Sequence, residues 1–321
     1  MEYIHGPRIL LSLTAIVLIV GLSFIGDGGT KPSGQAVRAS CETCFTLYTW
    51  ENYIDPYILK QFREEFGTKV DLVEFSDMED LRDQYLKSPG SVDVMIIDGH
   101  SAEVLADDLG IINDSRLSNL QNVNPKLMLD KKVTIPYQWG TTGIAYNKKH
   151  VFAPVTDWSI FWDHDYDGLM AVLDDHREVA TVALQELGFS TNTEDPDEVT
   201  RADANLQSTK VKVLGPASII SKMVTNELLV AQMYNGDAHS VILANADVAY
   251  VIPKDGGTVW ADGIAMSAES KRRDVGYQFM DFLLRPDVAA KNSEYSRFAS
   301  SLDRSLLKGK VPDELLENPV I

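Results

Sequence analysis

The stretch FTLYTWENYIDPYILKQFREEFGTKVDLVEF, residues 45–75, predicts a strand, a helix and a second strand. Asp55 can accept hydrogen bonds from the free N–H groups that begin a helix, and Pro56 suits the first helical turn. Gly67 readily takes the left-handed conformation in which helices commonly end. The sequence therefore predicts a helix from Pro56 to Phe66, flanked by one strand at each end of the quoted stretch.

The same alternation continues toward the carboxyl terminus. Val92–Ile97 is an almost wholly apolar run, as expected of a strand in a parallel sheet that is covered on both faces. A predicted helix over Asp77–Lys87 precedes it. A second unit begins with a predicted strand at Leu169–Leu173 and a helix at Arg177–Leu187. Strands that alternate with helices in this way predict the α/β fold class.

Two longer segments carry proline at informative positions. Thr134–Asn147, TIPYQWGTTGIAYN, has strand character that we expect Pro136 and Gly140 to interrupt. Lys271–Leu284 reads as a long helix, and we expect Pro286 to end it.

The composition excludes several classes of partner. The chain has 321 residues and a formal net charge of -18, which disfavours binding to nucleic acids and to anionic membrane surfaces because both would be repelled. The surplus of acidic residues is compatible with a cationic ligand, although a solvated acidic surface would also explain this surplus. The sequence contains no H-E-x-x-H, G-x-S-x-G or phosphate-binding loop, so we expect no enzymatic activity, no metal site and no cofactor.

The amino terminus indicates export. His5 and Arg8 precede the apolar run Ile9–Ile25, which predicts a signal peptide over residues 1–26, or an uncleaved membrane anchor. Residues 27–44 read as a linker that ends in a C-x-x-C motif formed by Cys41 and Cys44. In an oxidising compartment we expect these two cysteines to form a small local disulfide.

The candidate ligand-binding residues follow the predicted strands. Ligands of open α/β sheets bind beyond the carboxyl ends of the strands, and here those ends repeatedly combine an aromatic side chain with a carboxylate. That combination suits an alkyl ammonium ion, because carboxylates accept its N–H groups while aromatic faces cover its methylenes and attract its charge. Residues of these two kinds follow the predicted strands at 50–53, 98–100, 174–178 and 234–237, and they occur again at 260–262.

Two longer motifs make the assignment more specific. LDDHREVATVALQELGFSTNTEDP at residues 173–196 and VIPKDGGTVWADGIAM at residues 251–266 occur in the order seen in the spermidine/putrescine-binding proteins of bacterial ABC importers. The chain resembles that family from about Thr46 to Leu307. The resemblance implies a type II periplasmic-binding-protein fold, a polyamine ligand, a periplasmic location, and ABC permease subunits of the inner membrane as partners.

The resemblance also implies roles for the candidate residues. The positions that match aromatic contacts to the polyamine chain are Trp50, Tyr53, Tyr234 and Trp260, although the family usually has tryptophan at the third. The positions that match carboxylates for its ammonium groups are Asp175, Glu178 and Asp262. Asp98 departs from the family, which tends to carry a small hydroxyl residue there, and it adds a carboxylate.

We expect two lobes with the ligand between them. The first would comprise residues 45–139 and about 263–297, and the second residues 140–262 and about 298–321, with crossings near Gln138–Thr142 and Trp260–Gly263. Two alternatives keep the fold and change the role. One is a binding protein for another small ligand, and the other is a membrane-anchored polyamine sensor without a role in transport.

Overall fold

The computed structural model describes residues 44–75, 81–82, 85, 87–104, 109–110, 116–127 and 133–316. The predicted signal or anchor, the linker before Cys44 and parts of the helix predicted at Asp77–Lys87 lie outside these residues. Cys44 is buried and disulfide-bonded. Within the described ranges, no helix combines the length and hydropathy needed to cross a membrane.

Strands and helices alternate through most of the described chain. The strands are β1 (Phe45–Trp50), β2 (Val70–Phe75), β3 (Val94–Asp98), β4 (Leu109–Gly110), β5 (Thr134–Asn147), β6 (Met170–Leu173), β7 (Lys212–Leu214), β8 (Val230–Tyr234), β9 (Val248–Val251), β10 (Thr258–Ser267) and β11 (Ala299–Ser300). The α-helices are Pro56–Phe66, Gly99–Val104, His176–Glu186, Pro196–Gln207, Pro216–Val224, Asn235–Ala244, Arg273–Leu283, Pro286–Ser296, Arg304–Leu307 and Asp313–Leu316.

The first strand–helix–strand unit forms as its sequence predicts. The Asp55 carboxylate accepts a hydrogen bond from the Tyr57 N–H at 2.8 Å, which satisfies one free donor at the helix start. Gly67 ends the helix with a φ of 71°. The buried side chains of Ile58 and Phe62 attach the helix to the sheet, in which β1 and β2 pair in parallel.

Two parallel groups of strands are joined by two antiparallel strands. The sheet order is β2-β1-β3-β10-β5-β8-β6-β7. The pairs β1–β2, β1–β3, β6–β7 and β6–β8 are parallel, whereas β10 pairs antiparallel with both β3 and β5. β5 continues the sheet by pairing antiparallel with β8. The long strands β5 and β10 are therefore shared between the two groups.

The expected interruption of Thr134–Asn147 is wrong, since β5 is one strand of 14 residues. Pro136 lies opposite Gly263 next to a register shift in β10, a place where the missing N–H of proline is tolerated. Gly140 lets other groups approach the strand closely. A Cβ there would lie 2.4 Å from Trp260 Cζ2 and 2.3 Å from Asn235 Oδ1.

Pro286 has a second role that its sequence position did not predict. The helix Arg273–Leu283 ends just before it, close to the expected boundary, but Pro286 also begins the next helix, which runs to Ser296. Proline is well suited to a first helical turn because its missing N–H would have no partner there.

The buried side chains form two main cores. The first core includes Phe45, Phe62, Ile96, Phe279 and Phe282. The second core includes Ile144, Trp158, Val172, Val182 and Val230. β5 joins them, because its Ile135 packs in the first core and its Ile144 in the second.

The predicted boundaries of the two lobes stay a prediction, but the packing of the carboxyl-terminal segment bears on them. Leu302, Leu307 and Leu315 pack in the first core. The N–H of Asn124 also donates to the carbonyl of Ser301 at 2.9 Å. We therefore favour placing this segment in the first lobe rather than in the second.

Candidate ligand-binding site

The site is centred on two carboxylates at facing positions of neighbouring strands. Asp98 is the last residue of β3, and Asp262 of β10 is its direct cross-strand partner. Asp262 also lies opposite Gln138 of β5, next to the register shift between Asp262 and Gly263. Because β10 lies in the sheet between β3 and β5, Asp262 is placed between the two groups of parallel strands, and Asp98 is placed at the adjoining strand of the first group.

Asp262 is buried without a basic partner among the described residues. Asp262 is only 6% exposed, and burial raises the pKa of its carboxyl to about 7. The nearby Tyr53 hydroxyl and Trp50 indole N–H each lower that pKa. Yet both groups are buried without completing a hydrogen bond to any described residue. The Asp262 carboxylate can therefore still accept hydrogen bonds, and the Tyr53 hydroxyl and the Trp50 indole N–H can each still donate one.

Tyr53 is held in place by its backbone and its ring. Asn292 donates from Nδ2 to the Tyr53 carbonyl at 3.0 Å. The ring lies 6.3 Å from that of Tyr137 and 5.7 Å from that of Phe298. Burial, followed by the charge of Asp262, raises the pKa of Tyr53 well above its usual value, so the hydroxyl stays protonated as a donor.

Asp98 is equally buried but fully engaged. Arg177 donates from Nη2 to Asp98 Oδ1 at 3.0 Å. The Ser101 N–H donates to the same oxygen at 3.0 Å, and the Ser101 hydroxyl donates to Oδ2. Burial alone would raise the pKa of Asp98, but Arg177 and Ser101 outweigh burial and hold that pKa below its ordinary value.

Asp175 and Glu178 come from the start of the helix His176–Glu186. Asp175 Oδ1 accepts from the N–H groups of Arg177 and Glu178 at 2.9 and 3.2 Å, so one of its oxygens caps the helix. This cap fixes the first helical turn, which directs Glu178 toward the strands β5, β8 and β10.

Glu178 receives only neutral donors among the described residues. The hydroxyls of Thr142 and Thr258 donate to its carboxylate at 3.0 and 3.1 Å, and Gln232 donates from Nε2 at 3.3 Å. Burial, and then the charge of Asp175, raise the pKa of Glu178 to about 7 despite these hydrogen bonds. The carboxylate is therefore oriented by neutral polar groups, and the nearby Arg177 offsets the raised pKa only in part.

An aromatic cluster lies beside the carboxylates. The Trp260 ring makes edge contacts with Tyr234 at 5.8 Å and with Phe298 at 4.9 Å between ring centroids. Trp50 packs instead against Phe75 at 4.6 Å. The indole N–H of Trp260 is buried without a hydrogen-bond partner in the described chain.

The eight predicted residues are brought together. Asp98 and Asp262 face each other, and Trp50 and Tyr53 lie beside Asp262. The Tyr234 hydroxyl lies near the remaining carboxylates, because after burial the charges of Asp175, Glu178 and Asp262 all raise its pKa.

Several residues of the site were not predicted. They are Gln138, Thr142, Arg177, Gln232, Asn235, Thr258 and Phe298. Asn235 is an example: its Oδ1 accepts from the Thr141 N–H at 3.1 Å, while its Nδ2 has no partner in the described residues. Phe298 follows the last long helix rather than a parallel strand, so the strand-end pattern could not identify it.

This arrangement suits a cationic ligand with an apolar stem. Buried carboxylates are costly unless a cation pairs with them, and the buried Glu178 and Asp262 form no ion pair with a described basic side chain. The aromatic rings would cover methylene groups next to such a cation. No group of three or more His, Cys, Asp or Glu side chains in the described ranges is placed to hold a metal ion.

Comparison with known proteins gives a consistent result. The sequence profile of a family described as bacterial extracellular solute-binding protein matches residues 58–317. The spermidine/putrescine-binding periplasmic protein of Escherichia coli (strain K12) is 31% identical over 275 residues, which cover 81% of this chain and 78% of that protein. The norspermidine sensor of Vibrio cholerae is 29% identical over 264 residues, covering 79% of this chain and 74% of the sensor.

A solved structure confirms the fold. The spermidine/putrescine ABC transporter substrate-binding protein of Streptococcus pneumoniae superposes with a TM-score of 0.74 at 26% identity. The match covers 87% of this chain and 88% of that protein. The predicted architecture of two α/β lobes is therefore confirmed.

Proposed function

Because the chain belongs to the bacterial extracellular solute-binding protein family, we propose that it is the periplasmic polyamine-binding subunit of an ABC importer. It binds a linear polyamine between its two lobes and catalyses no reaction. Polyamines carry ammonium groups separated by methylenes, and the site provides a matching series of carboxylates and aromatic rings.

The environment of Asp262 is the observation that carries this proposal. Its carboxyl is buried, its pKa is raised to about 7 by burial, and no described basic side chain pairs with it. An ammonium group beside Asp262 would supply the missing charge and restore the carboxylate form at neutral pH. The Tyr53 hydroxyl and the Trp50 indole N–H, which lie near Asp262, would then orient the ionised carboxylate.

The second lobe provides the next ammonium site. Glu178 has the same raised pKa of about 7, and its two carboxylate oxygens are held by Thr142, Thr258 and Gln232. Trp260 and Tyr234, which contact each other, would cover the methylenes between the two ammonium groups.

Contacts from both lobes would couple binding to lobe closure. Asp262 and Tyr53 lie with elements of the first core, whereas Glu178 lies on the helix whose Val182 packs in the second. A ligand shifts a conformational equilibrium only by binding one state better than the other, and a polyamine would bind the closed state better because both sets of contacts form there. The closed form is the one we expect permease subunits of the inner membrane to recognise.

The similarity to the norspermidine sensor supports a second candidate function. In this alternative the protein is a membrane-anchored polyamine sensor without a role in transport. Uptake of labelled polyamine by cells with and without the gene separates the two roles, because a sensor would leave uptake unchanged.

Isothermal titration of the purified protein tests the ligand directly. Spermidine, putrescine and cadaverine are the ligands, with thiamine and ferric citrate as controls. We expect tight one-to-one binding of at least one polyamine and no binding of either control. A folded protein that binds no polyamine would contradict the proposed ligand and leave the family assignment standing.

A further inference from the structure

One ion pair connects the two sides of the site without any ligand. Asp98 ends β3, whose Ile96 packs in the first core, and Arg177 lies in the helix whose Val182 packs in the second. The Arg177 guanidinium reaches Asp98 at 3.0 Å. We propose that Arg177 is a built-in cation of the site that tethers the two lobes through Asp98 and competes with one ammonium group of the ligand.

The position of Arg177 argues against a role in helix stability. It lies in the first turn of the helix His176–Glu186, where the partial positive charge of the helix end disfavours a basic side chain. The Asp175 carboxylate already caps this turn through the Arg177 and Glu178 N–H groups. The guanidinium therefore contributes through what it reaches across the site.

Arg177 faces several acidic groups of the site at once. The charges of Asp98, Asp175 and Glu178 raise its pKa against the effect of burial. Arg177 in turn lowers the pKa of Asp262. A ligand ammonium would be attracted to the same carboxylates. The Arg177 guanidinium therefore already supplies a positive charge where an ammonium group would bind.

The Asp98 carboxylate has little capacity left for a ligand. Both oxygens accept from Ser101, and one also accepts from Arg177. Its charge is balanced by a guanidinium whose side chain remains 56% exposed and can turn outward into solvent. A ligand ammonium can therefore use Asp98 only by displacing Arg177.

This displacement predicts a preference among ligands, a consequence that rests on the proposed function. Asp262 and Glu178 provide two carboxylates without a basic partner in the described chain, which match the two ammonium groups of a diamine. A triamine adds a third positive charge that Arg177 repels or must replace. The pair formed by Asp98 and Arg177 thus favours diamines over triamines.

Small-angle scattering of the ligand-free protein tests the tether. We expect both Arg177→Gln and Asp98→Asn to increase the radius of gyration, because each removes one half of the pair. Arg285→Gln is the matched control, since Arg285 pairs with Glu65 at 2.9 Å. Glu65 lies on the helix Pro56–Phe66 and Arg285 directly precedes the helix Pro286–Ser296, and both helices pack in the first core. The control should scatter as the wild type does.

Titration with putrescine and spermidine tests the competition. We expect Arg177→Gln to improve spermidine binding relative to putrescine by about tenfold, since a nearby like charge is removed. Arg177→Lys keeps the charge and should keep the wild-type ratio. An Arg177→Gln variant with unchanged scattering, or with an unchanged ratio of the two affinities, overturns the proposal.

The scattering result also separates this proposal from the proposed function. If the wild type binds no polyamine and Arg177→Gln still opens the ligand-free lobes, the ligand assignment fails and the tether remains. If polyamines bind and neither variant alters the scattering, the tether fails and the ligand assignment remains.

Discussion

Asp98 and Asp262 face each other on adjacent strands and are both buried, yet their surroundings shift their pKa values in opposite directions. Asp98 has Arg177 and Ser101 as partners, and its pKa lies below the ordinary value. Asp262 lacks a described basic partner, and burial raises its pKa to about 7. The pKa of a buried carboxyl therefore depends on whether a basic side chain lies beside it. A ligand cation is bound most favourably at the carboxylate that lacks such a partner.

The largest expected effect comes from Asp262→Asn. Removing a carboxylate that pairs with a buried ammonium should weaken polyamine binding by about 2–5 kcal/mol, as measured by isothermal titration. Asp98→Asn should cost less, because Asp98 is already paired with Arg177. Equal losses for the two variants would show that the two carboxylates do not differ in the way their surroundings indicate.

Asp262→Asn should weaken ligand binding but raise the stability of the ligand-free protein. The pKa of Asp262 is about 7 in the folded protein and about 4 in an unfolded chain. Between these two values the carboxyl is ionised in the unfolded chain but protonated in the folded protein, so the free energy of unfolding falls progressively as the pH rises.

Asp262→Asn should consequently raise the free energy of unfolding at pH 8 by an amount on the order of 2 kcal/mol. The gain should shrink as the pH falls toward 4, where the wild-type carboxyl is protonated in both states. Urea denaturation of ligand-free protein at the two pH values measures it. A variant that is less stable than the wild type at pH 8 would rule out an uncompensated buried charge.

A third effect concerns the pH dependence of binding. Asp262 and Glu178 both have a pKa of about 7, and each must lose its proton to pair with an ammonium group. Polyamine affinity should therefore fall below pH 7 by about tenfold per pH unit for each proton that must be released. Titrations in buffers of different ionisation enthalpy should detect proton release at pH 6.5.

Glu178→Gln gives the control for this pH dependence. Glutamine keeps a side chain of similar size but removes one titrating group, so the remaining dependence should be shallower than in the wild type. An unchanged slope would remove Glu178 from the groups that bind the ligand.

These contrasts were only partly accessible from the sequence. Local signals predicted the first unit correctly, because Asp55, Pro56 and Gly67 act on their immediate neighbours. The strand–helix alternation predicted the fold class, and the ends of the strands indicated the segments in which the candidate residues lie. The resemblance to the family directed attention to Asp175 and Asp262 before any geometry was known.

Contacts between distant segments were not accessible. Arg177 and Asp98 are 79 positions apart, and no local pattern in the chain reports their contact. Pro136 suggested an interruption because proline lacks an N–H, but the register shift of β10 beside Gly263 removes the need for that donor. Phe298 joins the aromatic cluster only through the packing of the carboxyl-terminal segment.

Ser101→Ala should have the smallest effect on polyamine affinity, and it tests most directly the difference between Asp98 and Asp262. It removes the hydroxyl that donates to Asp98 Oδ2 and leaves both the Ser101 N–H and Arg177 bonded to Oδ1. We expect about 1 kcal/mol less stability in urea denaturation, as for the loss of one buried hydrogen bond. Polyamine affinity should stay within about twofold of the wild type, a change of less than 0.5 kcal/mol.

The matched control for Ser101→Ala is Asp163→Ala, which removes another side-chain hydrogen bond at a helix start, the one from the Asp165 N–H at 3.0 Å, outside the ligand site. Both variants should lose stability and keep their affinity for the ligand. If Ser101→Ala instead loses as much affinity as Asp262→Asn, then Asp98 contacts the ligand directly. Its pairing with Arg177 would then be displaced in the complex. If affinity is kept, Asp98 is satisfied within the protein, and the uncompensated charge that attracts the ligand lies with Asp262 and Glu178.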